Sequence, residues 1–424
     1  MNESRDRGFL TPLFGPLQGV RVLCTGMIIS APYAAQIMAE LGAEMIWIER
    51  PGLGDMGFRF GPQVGGKGLR PTFAQIGRNR LSVELDLNFA KNPEAREVFL
   101  DLAKQCDIWI NGLEIFDLNG TTDEMVLEAN PALVIVHISG YGRAKFGGLE
   151  AYHNRRAMTD YVAQAASGYA SLQGFAGEDS PVVKGYPADY GASLWAAVGA
   201  LSAYINAQHT GKGEVIDVSL TETQLTTLGN IVPDYLNGGV LPAKTGMVSP
   251  VLIGFGFYKC KDGRLVSIGI GGPLPYNEML QIIGEDPNYY SYFECNMNNT
   301  NSEKGREIAA KLDAFIAART PEEIEELFVQ RGIACSPVLT VGEALDHPHF
   351  RARGDVITYE DPISGDQVKA WNVFPKLEKN PGKVWRGAPH LGQDTEAVLG
   401  TVLGYTEDKI RSLKEKRIVG NPHA

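Results

Sequence analysis

Asp189 is the residue of this sequence whose type and setting most directly suggest chemistry. It follows a Pro-Ala turn and directly precedes the long apolar stretch 194–207, whose composition predicts a helix. A carboxylate at or near a helix N-cap can accept hydrogen bonds from the free N–H groups of the first turn, which stabilises a helix by about 0.5–2 kcal/mol. The same carboxylate can instead act as a nucleophile beside donors that stabilise a developing oxyanion. The local spacing leaves both roles open.

Composition and charge indicate a globular chain with two domains. The chain has 424 residues, too many for one simple core, and 44% of them are hydrophobic and 21% charged. A net charge of −11 argues against broad binding to nucleic acid, so an anionic ligand requires a local cluster of Arg and Lys. No signal peptide, membrane-spanning run or metal-binding cysteine spacing is present in the sequence. We therefore expect a cytoplasmic protein with no metal site and no membrane segment.

Strands and helices alternate in the first half of the chain. Strands are predicted at residues 19–24, 44–49, 107–110 and 133–139, and helices at 32–41, 93–105 and 123–129. This alternation predicts an α/β fold with a large, Rossmann-like, doubly wound parallel sheet, whose ligands bind at the carboxyl ends of the strands. The turn at residues 25–32 lacks the GxGxxG fingerprint, which counts against NAD or FAD.

The second half predicts a smaller α+β domain. Residues 236–249 are a Gly- and Pro-containing linker, 256–270 read as a β-hairpin with a Lys-Asp-Gly turn, and 302–318 and 320–331 read as helices. We assign residues 1–235 together with 346–424 to the large domain and 250–345 to the small one.

Seven segments in order along the chain form a recognisable set. They are GAEMIWIERPGLGD at 42–55, GRNRLSVELD at 77–86, SGYG at 139–142, TGKGEVIDVS at 210–219, YKCKDG at 258–263, GIACSPV at 332–338 and HPHFRARG at 347–354. Together they resemble the class III (CaiB/BaiF) CoA-transferases. Residues 14–19 and 384–389 are most similar to the branches of that family that act on carnitine and on bile acids.

The resemblance implies that Asp189 is a catalytic nucleophile. In the family scheme the aspartate attacks an acyl-CoA thioester to form a mixed anhydride, the released thiolate converts it to an aspartyl-CoA thioester, and an incoming acid takes over the CoA. An aspartate with an ordinary pKa near 3.9 is ionised at neutral pH and needs no activating base. Histidines are therefore not required. His153, His347 and His349 could reach a site, and a loop or surface position is the alternative for each.

The resemblance also implies which residues bind coenzyme A, which is a substrate and not a permanently bound cofactor. The matching positions are Ser30, Arg50, Asn79, Arg80 and Arg143. Arginine suits phosphate through charge-assisted hydrogen bonds, although a surface salt bridge is the alternative for Arg50 and Arg80. Relatives usually carry a basic residue in the loop at 111–120, where this chain has two acidic residues and no Lys or Arg. Two interpretations stay open: CoA binds more weakly to this chain, or Arg143 and Lys145 take the place of the missing basic residue.

Other activities and substrates of the family stay open to different degrees. A racemase needs a His-Asp-x-Asn-Tyr segment, but residues 157–161 have Ala at the histidine position. A non-catalytic CoA-binding protein would leave Asp189 as a helix cap.

The aromatic residues near Asp189 in sequence bear on the substrate. Their faces could hold a trimethylammonium group, so a betaine acid such as carnitine or crotonobetaine ranks first. The same rings would also suit a bile acid or an aryl hydroxy acid, which ranks second. Family members form interlocked homodimers, which we also expect here. The aromatic residues near Asp189 in sequence are Tyr141, Tyr161, Tyr169, Tyr190 and Trp195.

Overall fold

The structure is a computed structural model that describes residues 7–65, 68–113, 116, 119–149, 156–175, 177–178, 181, 184–240 and 243–420. The chain divides into two compact units. The large unit contains Met1–Tyr169, Gly185–Gly229 and His349–Ala424, and the small unit contains Ala170–Lys184 and Asn230–Pro348. Residues 170–184 and 230–235, which the sequence patterns assign to the large domain, thus belong to the small unit, as do the linker residues 236–249.

A six-stranded parallel sheet forms the centre of the large unit, as predicted. Its strand order is β3-β2-β1-β4-β5-β6, so the order reverses between β1 and β4, where doubly wound sheets bind their ligands. The inner strands β1 and β2 are buried along their whole length, which explains their nearly continuous apolar sequences. The strands are β1 (Arg21–Thr25), β2 (Glu44–Glu49), β3 (Arg80–Glu84), β4 (Ile108–Asn111), β5 (Val134–Ser139) and β6 (Val215–Ser219).

Helices cover both faces of this sheet. On one face, α7 buries Ala188, Ala192, Ala196 and Ala200, whose spacing of four places them on one side of the helix. Such small side chains allow α7 to pack closely against α1 and the sheet. The helices of the large unit are α1 (Ser30–Glu40), α2 (Pro71–Gly77), α3 (Pro93–Gln105), α4 (Asp123–Ala129), α5 (Asp160–Ala166), α7 (Pro187–Thr210), α8 (Leu220–Thr226), α16 (Thr395–Ala397) and α17 (Glu407–Glu415), while α6 (Tyr169–Leu172) straddles the boundary between the units.

The small unit has the predicted α+β character. Strands β7 (Phe255–Lys259) and β8 (Leu265–Gly269) form the predicted antiparallel hairpin, and β9 (Ala334–Pro337) pairs with β8. A capping box of Thr320 and Glu323 begins α13, where the sequence also predicts a helix start. The helices that lie within this unit are α9 (Ile231–Gly238), α10 (Pro273–Ile283), α11 (Tyr292–Cys295), α12 (Glu303–Ala317), α13 (Pro321–Val329) and α14 (Val341–Asp346). Within the described residues, no helix combines the length and the apolar character that crossing a membrane demands.

The C-terminal part of the large unit closes the outer edge of the sheet at β3. The outward-facing N–H of Ser82 donates to the Asp394 carboxylate at 2.8 Å, and that of Glu84 donates to the Thr395 hydroxyl at 3.1 Å. The side-chain oxygen of Asn79 accepts from the backbone N–H of Trp385 at 2.8 Å. These bonds pair edge groups that would otherwise be free to bind another strand. The same part of the chain contains the two-stranded hairpin of β10 (Val356–Glu360) and β11 (Gln367–Trp371), and helix α15 (Pro348–Ala352) begins at the unit boundary.

Candidate active site

Two neighbouring cavities, each of about 500 Å³, open at the carboxyl ends of the parallel strands. Met27 and Leu113 line both, so the cavities adjoin at the point where the strand order reverses. Cavity A follows β1, β2 and β3, and its lining includes Trp47, Arg50, Met56, Asp86 and Lys91. Cavity B follows β1, β4 and β5, and its lining includes Ser30, Phe58, Asp160, Tyr161, Tyr186 and Asp189.

Asp189 lies in the first turn of α7, as its third residue, and lines cavity B. Its carboxylate accepts a hydrogen bond from the hydroxyl of Ser30, the first residue of α1. The capping bond at this end of α7 comes from elsewhere, because the backbone N–H of Asp189 donates to the Asp160 carboxylate at 2.9 Å. Within the described residues the Asp189 side chain makes no capping bond to α7, so its carboxylate is directed to the cavity and to Ser30.

The electrostatic setting makes the charged form of Asp189 less stable than that of an exposed aspartate. Burial raises the pKa of the Asp189 carboxyl, and the negative charge of Asp160 raises it further, while the hydrogen bond from Ser30 acts in the opposite direction. The net direction is upward. A carboxylate destabilised in this way is a better nucleophile than one that is fully solvated.

The starts of α1 and α7 are fixed to each other beside Asp189. The Ser193 hydroxyl lies 2.7 Å from the carbonyl oxygen of Ser30 and 2.8 Å from that of Asp189, so it links both helices. Tyr33 of α1 packs edge-on against Tyr190 of α7 with ring centroids 4.9 Å apart. Two helix N-termini therefore meet at cavity B, where their partial positive charge favours a developing anion.

The turn between β1 and α1 contains a strained residue at the cavity wall. Ile28 has φ +66°, a left-handed conformation that a β-branched residue adopts at a cost of about 1–3 kcal/mol. Asp55 holds this conformation, because its carboxylate accepts from the N–H of Ile28 at 2.7 Å and from the N–H groups of Gly57 and Phe58 at 2.8 and 3.0 Å. The segments that bring Ile28 and Phe58 to cavity B are thereby locked together.

Of the residues predicted to bind CoA, the structure brings Ser30 and Arg50 to the cavities. Arg50 lines cavity A and is exposed, and Ser30 lines cavity B, where it contacts Asp189. Sequence reasoning missed Lys91, which also lines cavity A and is exposed. Neither Arg50 nor Lys91 has an ion pair with a described residue. The available signal for Lys91 was its position between β3 and α3, at the carboxyl end of a parallel strand.

Asn79 and Arg80 are fully buried and line neither cavity. Asn79, at φ +60°, binds the C-terminal segment through its amide. The Arg80 guanidinium lies 4.1 Å from the centroid of the Trp47 ring and donates to the carbonyl oxygen of Ile76. Burial lowers the pKa of Arg80 to about 10. The role of both residues as CoA contacts stays a prediction, which this geometry does not support.

Arg143 lies after β5 and lines neither cavity, and its backbone N–H donates to Asp217 at 3.0 Å. Lys145 pairs with Glu124 at 3.1 Å and Asp123 at 3.7 Å. Glu114 and Asp117 of the acidic loop, and likewise His153, lie outside the described residues. The other candidate histidines, His347 and His349, line neither cavity.

The junction of the two cavities rests on a buried polar chain that sequence reasoning did not identify. The Asn111 side chain accepts from the N–H of Leu113 and donates to its carbonyl oxygen, both at 3.0 Å. Its amide nitrogen also lies 3.1 Å from Nδ1 of His137, whose Nε2 lies 2.7 Å from the Asp123 carboxylate. Leu113, which lines both cavities, is therefore held in place from β4 and β5.

Aromatic side chains at cavity B differ from those expected. Tyr161 lines the cavity, whereas Tyr141, Tyr169 and Tyr190 do not. Trp195 is exposed and lines a separate surface groove beside β6. Tyr186, which the sequence analysis did not single out, lines cavity B with its ring centroid 6.1 Å from that of Tyr161. Across the described residues there is no group of His, Cys, Asp and Glu that could hold a metal ion.

Comparison with known proteins agrees with this architecture. The model of CoA-transferase family III matches residues 17–395. A CAIB/BAIF family protein from Brucella suis has a TM-score of 0.74 and 23% identity over 92% of this chain and 100% of that chain. Rv3272 from M. tuberculosis has a TM-score of 0.76 and 21% identity over 91% of this chain and 99% of that chain. At these identities the two structures show a shared fold. Because the family model spans most of the sequence, the chain belongs to CoA-transferase family III, the CaiB/BaiF type, and is a CoA-transferase.

Proposed function

We propose that the protein transfers CoA between carboxylic acids through Asp189. An oxygen of the Asp189 carboxylate attacks the thioester carbonyl carbon of the donor, the C–S bond breaks, and CoA leaves as a thiolate. The thiolate then attacks the aspartyl carbonyl of the mixed anhydride, which releases the donor acid and forms an aspartyl-CoA thioester. The acceptor carboxylate repeats the two steps in reverse and regenerates Asp189. The uncapped Asp189 carboxylate at the wall of cavity B is the observation that carries this proposal.

The surroundings of Asp189 support attack without a separate base. An aspartate attacks as its carboxylate and has no further proton to lose, and burial beside Asp160 raises the free energy of this charged form relative to an uncharged acyl form. The converging N-termini of α1 and α7 favour the oxyanion that develops on the thioester carbonyl. The racemases of the family take one of their two bases from a histidine, and no histidine lies among the described residues that line cavity B.

We propose one orientation for coenzyme A across the two cavities. Its adenosine phosphates would lie at cavity A, where Arg50 and Lys91 are exposed and unpaired with described residues. Its pantetheine arm would pass Met27 and Leu113, which both cavities share, and would bring the thioester to Asp189. The missing basic residue of the acidic loop is then replaced by Lys91 and not by Arg143 or Lys145, which line neither cavity.

The lining of cavity B favours a carboxylic acid that also carries a positive charge. Its described residues include two carboxylates, Asp160 and Asp189, and the two tyrosine rings Tyr161 and Tyr186, but no Lys, Arg or His. Tyrosine faces and nearby carboxylates attract a trimethylammonium group. We therefore infer a betaine acid of the carnitine, crotonobetaine or butyrobetaine type as substrate. The apolar side chains of Ile28, Phe58 and Met158 keep a bile acid or aryl hydroxy acid as the second candidate.

Intact-protein mass spectrometry tests both the chemistry and the substrate class. Wild type mixed with crotonobetainyl-CoA should gain the mass of CoA less one water, and Asp189→Asn should gain none. In transfer assays, butyrobetaine should exceed 5,5-dimethylhexanoate, its carbon analogue without the positive charge, by roughly tenfold in kcat/KM, which is the effect of a cation–π contact of about 1–2 kcal/mol. An adduct on Asp189→Asn would contradict the covalent role. Equal use of the two acids, or faster loading from a bile-acyl-CoA, would contradict the betaine assignment.

We further propose a cytoplasmic homodimer. The side chains of Leu194, Trp195, Val198 and Ile205 on α7 are 55–59% exposed. These four side chains form an exposed apolar row on α7. Exposure of such a row to water is unfavourable, so it suits a subunit interface. The cysteines of the described chain are free and mostly buried, which fits a reducing compartment.

A further inference from the structure

Asp160 is the strongest candidate for a second functional carboxylate at cavity B. It is the first residue of α5, its side chain is only 3% exposed, and it lines the same cavity as Asp189. One of its oxygens accepts from the side-chain amide of Gln164, and the other accepts from the backbone N–H of Asp189 at 2.9 Å. Within the described residues it has no cationic partner. A buried charge with so few partners is costly, so its presence beside the nucleophile needs an explanation.

The start of α7 shows what Asp160 does structurally. Pro187 has no N–H, the N–H of Tyr190 donates to the carbonyl oxygen of Tyr186, and Tyr186 at the N-cap position makes no side-chain capping bond. The N–H of Asp189 would therefore lack a partner without Asp160. An aspartate in the first turn of a helix commonly caps nearby N–H groups itself, and here a residue from a different helix does so. The Asp189 side chain is left to accept from Ser30.

The charge on Asp160 also bears on the reaction. Two neighbouring carboxylates repel each other while both are ionised. Once Asp189 becomes an anhydride or a thioester it is uncharged, and this repulsion disappears. Asp160 therefore raises the free energy of the resting nucleophile without raising that of the covalent intermediates. Such selective destabilisation of the ground state accelerates attack.

We propose that Asp160 is a positioning residue that caps α7 in place of Asp189 and thereby keeps the nucleophile uncapped and reactive. This inference rests on the proposed covalent role of Asp189. Asp160 contacts the backbone of the nucleophile and acts through it, and it forms no covalent bond in the transfer steps.

The pH dependence of CoA loading separates this role from a purely structural one. Removal of the negative neighbour in Asp160→Asn should lower the pKa of Asp189, so the acidic limb of the loading rate should move to lower pH. On the plateau, loading should slow about tenfold. Ser30→Ala removes the hydrogen bond that favours the carboxylate, so its acidic limb should move to higher pH. The other ionisable groups around Asp189 are Tyr161 on α5, Tyr33 on α1, and Tyr186 and Tyr190 beside it. Burial raises the pKa of Tyr33 and that of Tyr190.

Matched controls make the outcomes decisive. Thr406→Ala removes a capping hydroxyl from α17, far along the same unit, and should leave the loading profile unchanged. Asp160→Ser keeps a neutral acceptor and serves if Asp160→Asn does not fold. Should neither variant fold, the ¹³C carboxyl titration of wild-type Asp189, identified by its absence in Asp189→Asn, should have a midpoint above the ordinary aspartate value.

Three results would overturn the inference. They are an acidic limb that stays in place in folded Asp160→Asn or Asp160→Ser, a plateau rate equal to wild type in those variants, and an ordinary or lowered midpoint for Asp189 in the carboxyl titration. Failure of the covalent role itself is distinguishable, because wild-type protein would then acquire no CoA mass from any donor.

Discussion

A carboxylate buried beside another carboxylate costs folding free energy for as long as it stays charged, and Asp189 is in that position. Its pKa is raised in the folded protein, so between the unfolded value near 3.9 and the higher folded value the folded state binds more protons. The contribution of Asp189 to stability is therefore greatest below pH 3.9. It falls as the pH rises to the folded pKa. Activity and stability make opposite demands on this residue.

We accordingly expect Asp189→Asn to be inactive but more stable than wild type. Its midpoint of thermal unfolding at pH 7 should rise by about 1–3 °C, and the difference should vanish below pH 4. Differential scanning calorimetry across this range would measure both effects.

Asp123 provides a matched control with the opposite sign. Burial alone would raise the pKa of Asp123, but its hydrogen bond and charge interaction with His137 outweigh burial and lower it. Ionised Asp123 stabilises the fold at neutral pH, and this contribution is lost as the pH falls through the folded pKa. Asp123→Asn should therefore lower the midpoint at pH 7. A lower midpoint for Asp189→Asn as well would show that Asp189 has a structural role.

At the scale of elements, the site depends on how α1 and α7 are joined. The Ser193 hydroxyl contacts the carbonyl oxygens of Ser30 and Asp189, one on each helix. Ser193→Ala leaves a buried carbonyl without this partner, which costs about 1–3 kcal/mol. We expect a lower midpoint of thermal unfolding together with slower CoA loading, because the position of Asp189 relative to Ser30 on α1 is no longer fixed. Calorimetry and single-turnover mass spectrometry would measure these changes.

Ser202→Ala is the control for this prediction. Ser202 lies on the same helix, but its hydroxyl bonds only to the carbonyl oxygen of Val198 at an exposed position within α7. Its loss should change neither stability nor loading appreciably. If Ser193→Ala also behaves like wild type, the link between the helices is not what positions Asp189.

The elements also show what the sequence could predict. β2, α3 and α4 have the predicted bounds because their apolar patterns and flanking turns agree. The sequence analysis did not predict β3 and β6, because each mixes charged with apolar residues. Their neighbours in the sheet, β2 and β5, are separated from them along the chain. α7 begins at Pro187, earlier than its apolar stretch suggests.

The site residues divide along the same line. Family motifs mark the individual positions Asp189, Ser30 and Arg50, and these three residues line the cavities. Arg80 looks like a surface phosphate ligand in sequence, but the structure stacks it on Trp47, a contact between strands that no local pattern contains. Asp160 and Lys91 were not singled out, since their importance depends on what stands next to them in space.

At the scale of the whole molecule, the apolar row on α7 predicts the oligomeric state. Val198→Glu combined with Ile205→Glu places two charges in the middle of this row, where burial in an interface would be strongly unfavourable. We expect light scattering after size exclusion to give twice the chain mass for wild type and the single mass for the double variant. Leu13→Glu changes another exposed apolar residue, outside α7, and should keep the wild-type mass. A monomeric wild type, or a dimeric double variant, would contradict the proposed interface.

The closure of the β3 edge has a consequence for how the protein is made. The groups that pair with the outer N–H groups of Ser82 and Glu84 belong to Asp394 and Thr395, and the ribosome adds these only after the whole small unit has been synthesised. Until then the nascent sheet presents an open strand edge on which another chain could assemble. Completion of the large unit must therefore follow translation. An mRNA truncated before the codons of Asp394 and Thr395 would yield a chain prone to aggregation, even though every residue of both cavities is present.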